Sequence, residues 1–306
     1  MTSILRPFRG IIPPVLTPLL DRDTLDHPSL EKLLEHLING GSHALFILGS
    51  TGEAPSLSYQ LRHQILNAAC NTIARRKPVL VGITDTSITE SLKFSEAAAK
   101  AGADAVVLAP PYYYGLSQSA LEGYIERIAA QLPLPLYLYN MPGYTKINMD
   151  PSVVRNVSDI SNIWGVKDSS GNIEYFRKLL AALADKENFS VLSGTEELLA
   201  ESVAMGGHGG ICGGANVNPR LYVDLYEAAV NEDAAKIAQL QEVVMNFSNS
   251  IYKVGEKNSS YLRGLKCASA LMGYGTGFMA EPYLAMENEE RTQIRQALVR
   301  MRMILQ

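Results

Sequence analysis

Cysteine is scarce in this chain. Cys70, Cys212 and Cys267 are the only three among 306 residues, and their wide spacing forms neither a disulfide framework nor a zinc-binding pattern. Such usage fits a reducing compartment. No apolar run reaches the roughly 18 to 20 residues that cross a bilayer, and the opening Met1-Thr2-Ser3-Ile4-Leu5-Arg6-Pro7 lacks the apolar core of a signal peptide. Dense Lys/Arg runs are missing too: Arg75-Arg76-Lys77 is a short solvated patch, and a net charge of −4 gives no reason to expect nucleic acid. His27, His36, His43, His63 and His208 show no ligand spacing and no HExxH motif exists, so neither metal nor cofactor is expected. Gly275-Thr276-Gly277-Phe278-Met279-Ala280 matches GxGxxA but follows no strand, and carries little weight. What these absences leave is the expectation of a soluble cytoplasmic protein. Its 47% hydrophobic and 19% charged residues suit a sizeable core.

Short apolar, β-branched runs alternate with amphipathic stretches. Strands are expected at 10–16, 44–48, 79–83, 105–109, 136–139, 163–167, 190–192 and 209–212. Helices are expected between them at 29–39, 59–75, 88–101, 117–131, 150–156, 173–184 and 196–205. Asp26 or His27 ahead of Pro28, Thr89 before Glu90, and Asp150 before Pro151 mark helix starts. Strict alternation implies parallel strands, and eight of them in about 215 residues fit a (β/α)8 TIM barrel. An open doubly wound sheet is the alternative, but the nucleotide fingerprint it usually carries is missing. After about residue 217 the alternation stops, and helices are expected at 222–231, 233–252, 260–271 and 287–303. The division is therefore an α/β barrel over 1–220 and a C-terminal helical domain over 221–306, packed on the barrel.

Lys167 is the most informative residue. It ends the apolar run Ile163-Trp164-Gly165-Val166 and precedes the turn Asp168-Ser169-Ser170-Gly171. A buried, unpaired ammonium is costly, and burial favours the neutral amine, a nucleophile able to form a Schiff base with a ketone. Snorkelling to solvent, or pairing with Asp168, is the alternative. In a barrel of this type the chemistry sits at the C-terminal ends of the strands. Strand two ends in Gly49-Ser50-Thr51-Gly52-Glu53, where hydroxyls and glycine-flanked amides suit a small carboxylate, or where a tight turn merely needs glycine. Tyr137 and Tyr139 share one face of strand five; either shuttles protons or is a core tyrosine. Strand four ends in Tyr112-Tyr113-Tyr114, and at least one of the three should face a partner or solvent. Strand eight ends in the glycine-rich run from Gly209 through Ile211 to Asn216.

Together these segments resemble the dihydrodipicolinate synthase and N-acetylneuraminate lyase family of Schiff-base aldolases. The resemblance covers nearly the whole chain: the opening strand, 49–53, 112–118, 139–142, 167–171, 207–216 and the helical tail. It implies a (β/α)8 barrel with a helical C-terminal domain, assembled as a tetramer of two dimers. It also implies that pyruvate condenses with Lys167, that Tyr139 is the proton shuttle, and that Ser50 and Thr51 bind the pyruvate carboxylate and help relay protons. Tyr113 would complete a neighbouring subunit's relay. A phenol alone is a poor base at neutral pH, so hydrogen bonds from Tyr139 to Ser50 and to a partner's Tyr113 are expected.

Substrate choice rests on fewer residues. Where the synthase branch carries an arginine for aspartate semialdehyde, this chain has Tyr144, with Lys146 nearby but lacking the guanidinium fork. Ser169 matches a hydroxyl residue that contacts the sugar chain in the sialic-acid lyase branch, or is a turn serine bonded to its own backbone. Glu196 and Glu197 match an acidic pair that binds polyol hydroxyls there, or are acids favoured at a helix N-terminus. Gly194 and Ile211, at the ends of strands seven and eight, complete the expected substrate contacts. Gly213 stands where the lyase branch carries serine, against a specific taste for sialic acid. The expected activity is reversible aldol cleavage of a 2-oxo-3-deoxy sugar acid, or a related hydroxy-oxo acid, to pyruvate and an aldehyde. A 4-hydroxy-tetrahydrodipicolinate synthase, a sugar-acid dehydratase and a low-turnover ligand-binding paralogue are the alternatives.

Overall fold

The computed structural model describes residues 4–255 and 260–303. Met1–Ser3 of the opening segment, and residues 256–259 and 304–306 of the expected helical domain, lie outside the described residues. Eight strands form one sheet: β1 (Gly10–Ile11), β2 (Leu45–Ile47), β3 (Val79–Gly82), β4 (Ala105–Leu108), β5 (Leu136–Asn140), β6 (Ile163–Asp168), β7 (Ser190–Ser193) and β8 (Gly209–Gly210). Every pairing is parallel and neighbours in the sheet are neighbours in sequence, with β8 returning to β1. Such an order is consistent with a (β/α)8 barrel. The chain beyond β1 supplies the remaining seam: Pro14 bridges Phe46, the Phe46 amide donates to the Pro13 carbonyl at 3.0 Å, and the Val15 amide to the Phe46 carbonyl at 2.8 Å. The first strand is thus shorter than the expected 10–16 because Pro13 and Pro14 have no amide hydrogen to extend a regular ladder.

Helices α1 (His27–Asn39), α2 (Tyr59–Ile73), α3 (Ile88–Ala101), α4 (Gln118–Ala129), α5 (Pro151–Val157), α6 (Ile173–Ala182) and α7 (Leu199–Ala204) follow successive strands. Their starts are set by capping side chains: Asp26 accepts from the Ser29 amide at 3.1 Å and Ser58 from the Leu61 amide at 3.1 Å. For α3 the cap is Ser87, whose hydroxyl accepts from the Glu90 amide, and not Thr89. Asp150 occupies the cap position of α5 without a side-chain bond. The expected helix 196–205 opens as a 3-10 turn, Glu196–Leu198, before α7. An antiparallel pair, Leu19–Asp21 with Thr24–Leu25, precedes α1 and was not anticipated.

Four more helices follow β8: α8 (Pro219–Val230), α9 (Ala234–Phe247, continued by a π-helical turn Ser248–Tyr252), α10 (Ser260–Leu271) and α11 (Asn288–Arg300). They sit close to the expected boundaries. Buried polar contacts tie them to the loops beyond the strand ends. Lys266 of α10 forms an ion pair with Glu53, the Ala280 amide donates to Glu53 at 2.7 Å, and the Gln241 amide group donates to the Glu197 carbonyl at 2.8 Å.

Besides a cluster that packs Ile11 and Leu199 against Leu221, Tyr222 and Leu225 of α8, the core has two layers. One cluster lies between sheet and helices; a second fills the barrel interior with Phe46, Leu80, Val107, Tyr137, Tyr139, Leu192 and Ile211 among others. The second is what period-two alternation predicts for the inward face of parallel strands. No described helix is long and apolar enough to cross a membrane.

Candidate active site

Adjacent strands place Tyr139 of β5, Lys167 of β6 and Leu192 of β7 in register. Tyr139 and Leu192 belong to the barrel interior, so the lysine between them faces inward as well. It is 5% exposed, and its Nζ lies 4.1 Å from the centre of the Tyr139 ring and 5.6 Å from that of Phe46. Ring faces of this kind attract a cation. Asp168 points to the opposite side of the strand. Its carboxylate accepts from Asn140 Nδ2 at 2.9 Å, the Ser170 amide at 3.0 Å and the Ser170 hydroxyl at 2.9 Å, and burial pushes its pKa up. Neither alternative for Lys167 occurs: it does not reach solvent, and among the described residues no carboxylate forms an ion pair with it.

Gly194 makes room for this arrangement. A Cβ there would lie 1.9 Å from Ser169 Oγ and 2.7 Å from Lys167 Cε, so any side chain would displace the amine. Ser169 is half-buried, its amide donating to the Asn140 carbonyl at 2.9 Å. Ile211 is buried in the barrel interior near the same end.

The two rings beside the lysine, Phe46 and Tyr139, also line a cavity of about 240 Å³, together with Ser50, Glu53, Tyr112 and Tyr144; Lys167 itself is not part of that lining. Leu262 and Tyr283, from the segments after β8, close another wall. Ser50 opens the turn 49–53, which is pinned by the Glu53 amide donating to the Ser50 carbonyl at 3.0 Å and by Thr17 Oγ1 donating to the Gly52 carbonyl at 2.7 Å. Thr51 is buried, with its Oγ1 3.3 Å from the Tyr261 phenol oxygen. The expected bond from Ser50 to Tyr139 is not formed within the described chain.

The remaining expected residues lie elsewhere. Tyr113 is 76% exposed and stacks edge-on against Tyr114 at 5.0 Å, away from its own chain's cavity. Glu196 is buried, accepting from Tyr222 at 2.7 Å and Tyr252 at 2.5 Å on one oxygen and from the Gly214 amide at 2.9 Å on the other. Burial, with the Glu197 charge adding, pushes its pKa up to about 7. Glu197 accepts from the Ser248 hydroxyl at 2.5 Å. Both acids thus face the helices that follow the barrel, with protein donors on their oxygens.

Two participants went unassigned in the sequence. Glu53 closes the turn 49–53 and pairs with Lys266; burial pushes the carboxyl up and the ammonium down, and their mutual attraction opposes both. Its place in the motif was visible, but not its partner 213 residues away. Tyr261 had no sequence signal at all. Among the described residues no group of three or more His, Cys, Asp or Glu is placed to hold a metal ion.

Comparison with known proteins gives this geometry a context. A model of the dihydrodipicolinate synthetase family matches residues 7–301. A 4-hydroxy-tetrahydrodipicolinate synthase of Salinibacter ruber is 36% identical over 229 residues, covering 74% of this chain and 75% of that one. The structure of dihydrodipicolinate synthase from Bacteroides thetaiotaomicron is 50% identical, with a TM-score of 0.94 over 96% of this chain and 99% of that one. YagE of Escherichia coli K12, a putative 2-dehydro-3-deoxy-D-gluconate aldolase, is 33% identical over 268 residues, 87% of each chain. Its crystal structure in complex with pyruvate has a TM-score of 0.92 over 97% of this chain and all of that one, at 30% identity.

Proposed function

From the premise that this chain belongs to the dihydrodipicolinate synthetase family, we propose that it is a carbon–carbon lyase, a pyruvate-dependent aldolase that forms a Schiff base on Lys167. One observation carries this reading: a buried lysine at a strand end, held against the Tyr139 ring at 4.1 Å with no carboxylate partner among the described residues. Lys167 Nζ, as the free amine, adds to the C2 carbonyl of a 2-oxo acid, and loss of water gives an iminium. In the cleavage direction Tyr139 takes the proton of the C4 hydroxyl. The C3–C4 bond then breaks, the aldehyde leaves, and its electron pair passes into the enamine. Protonation at C3 and hydrolysis of the iminium release pyruvate and regenerate the amine. The turn carrying Ser50 and Thr51 holds the carboxylate.

For the aldehyde partner we favour the chain of a 2-oxo-3-deoxy sugar acid. Tyr144 stands at the cavity where a synthase would use arginine, and the described lining contains no Arg or Lys, whereas Ser50, Thr84, Tyr112 and Tyr144 offer hydroxyls. Ser169, beside the lysine, is a further candidate contact. A second reading, a 4-hydroxy-tetrahydrodipicolinate synthase, is favoured by the 50% identity with the Bacteroides enzyme. The helices that follow β8 belong to a C-terminal domain whose Leu262 and Tyr283 help to close the cavity. The active assembly is a tetramer, a dimer of dimers, in which the exposed Tyr113 enters a partner's site; Tyr113→Phe should lower turnover and leave the fold intact.

Borohydride added with pyruvate should leave a stable adduct, mapped to Lys167 by mass spectrometry; an unmodified lysine after saturating treatment removes the mechanism. Supplying pyruvate with sugar aldehydes in one arm and aspartate semialdehyde in another, with product masses as the readout, separates the two substrate readings.

A further inference from the structure

Tyr261, in the first turn of α10, reaches back from the helical tail to the barrel. Its phenol oxygen lies 3.3 Å from Thr51 Oγ1, and its ring packs edge-on against Tyr252 at 4.7 Å. The same oxygen occupies the place where a side chain at position 213 would start: a Cβ on Gly213 would lie 1.9 Å from it. The 3-10 turn Gly213–Asn216 that follows β8 is bare at this point, and a tyrosine from the tail fills the space. A hydroxyl has one hydrogen to donate and two lone pairs. A phenol is more acidic than an alkyl alcohol, hence the better donor, so the favoured direction runs from Tyr261 to Thr51. That leaves the threonine hydrogen free for another acceptor.

We propose that Tyr261 is a positioning residue for the 2-oxo acid: by donating to Thr51 Oγ1 it aims the threonine hydroxyl at the substrate carboxylate held by the turn 49–53. The inference rests on the Schiff-base reading above and deepens it by giving the carboxylate a second, indirect support from the tail. Hydrogen bonds to a carboxylate are charge-assisted and sensitive to donor direction. A threonine whose hydrogen is no longer directed binds the anion less well, while the chemistry at Lys167 proceeds as before. Gly213 is part of the same device, since any side chain there pushes the phenol off Thr51.

The experiment measures the pyruvate concentration that gives half-maximal borohydride trapping on Lys167, in wild type, Tyr261→Phe and Gly213→Ala, each checked for native circular dichroism. Both variants should need about ten times more pyruvate, the effect of one lost hydrogen bond, with kcat at saturating pyruvate within about two-fold of wild type. Wild-type concentration dependence in the folded variants overturns the role of Tyr261 and leaves the Schiff-base reading standing. A fall in kcat without the shift in pyruvate dependence also overturns it. Absence of trapping in the wild type removes the underlying reading itself. The two substitutions act on opposite sides of one contact, so if either fails to fold the other still decides.

Discussion

Lys167 and Lys266 are both almost wholly buried, at 5% and 3% exposure, yet their surroundings differ completely. Lys266 is paired with Glu53, whose other oxygen takes the Ala280 amide, so the charges neutralise one another and join the β2 turn to the tail. Lys167 has ring faces and the backbone of Gly194 around it, and no counter-ion among the described residues. A buried cation with a dedicated carboxylate is committed to holding two segments together. A buried amine with no carboxylate beside it has a lone pair that no ion pair engages. Burial alone therefore does not single out a candidate nucleophile among the lysines; the absence of a partner does.

The comparison can be broken most directly at its reactive half. Lys167→Ala should abolish both turnover and the pyruvate adduct while native circular dichroism is kept; residual adduct elsewhere would reassign the nucleophile. Tyr139→Phe should lower turnover by about 10²- to 10⁴-fold, the range of a positioned proton-transfer group, while borohydride still traps pyruvate on Lys167. The structural half responds in stability. Lys266→Met leaves Glu53 buried and uncompensated and should cost about 3–5 kcal/mol in denaturant unfolding. Adding Glu53→Gln should return most of that loss, and an equally unstable double variant would show that the pair is not the source.

Glu196 tests the same principle for an acid. Its carboxyl is raised from 4.5 to about 7, chiefly by burial. A raised carboxyl pKa stabilises the fold fully below about pH 4.5, and that contribution is lost as pH rises through 7, about 3 kcal/mol in all at 1.36 kcal/mol per pH unit. Glu196→Gln should flatten this part of the stability–pH profile, at the constant cost of setting an amide NH₂ against one of its present donors. An unchanged slope would place the dependence on other groups.

Much of this was legible in the sequence because it is local. Apolar runs located all eight strands to within a few residues, and period-two spacing put Tyr137 and Tyr139 on one inward face, as found. The hairpin at residues 19–25 was missed because its two strands are only three and two residues long. Ser87 and Thr89 are both β-hydroxy residues near Glu90, and only the backbone angle at the helix entrance selects Ser87 as the cap. For Glu196 and Glu197, two adjacent acids at a helix start read the same whether they face a substrate or the tyrosine and serine hydroxyls of the tail.

What the sequence determined alone is the alternation of strands and helices, the face on which each strand residue sits, and so the lysine and tyrosine that must share the barrel mouth. Those follow from dihedral periodicity and from the cost of exposing apolar side chains, which act over a few residues. Tertiary structure decided which polar groups meet across hundreds of residues: Glu53 with Lys266, Glu196 with Tyr222 and Tyr252, Thr51 with Tyr261. No local pattern encodes such pairings, because a hydrogen bond depends on positions in space set only when the tail packs against the barrel.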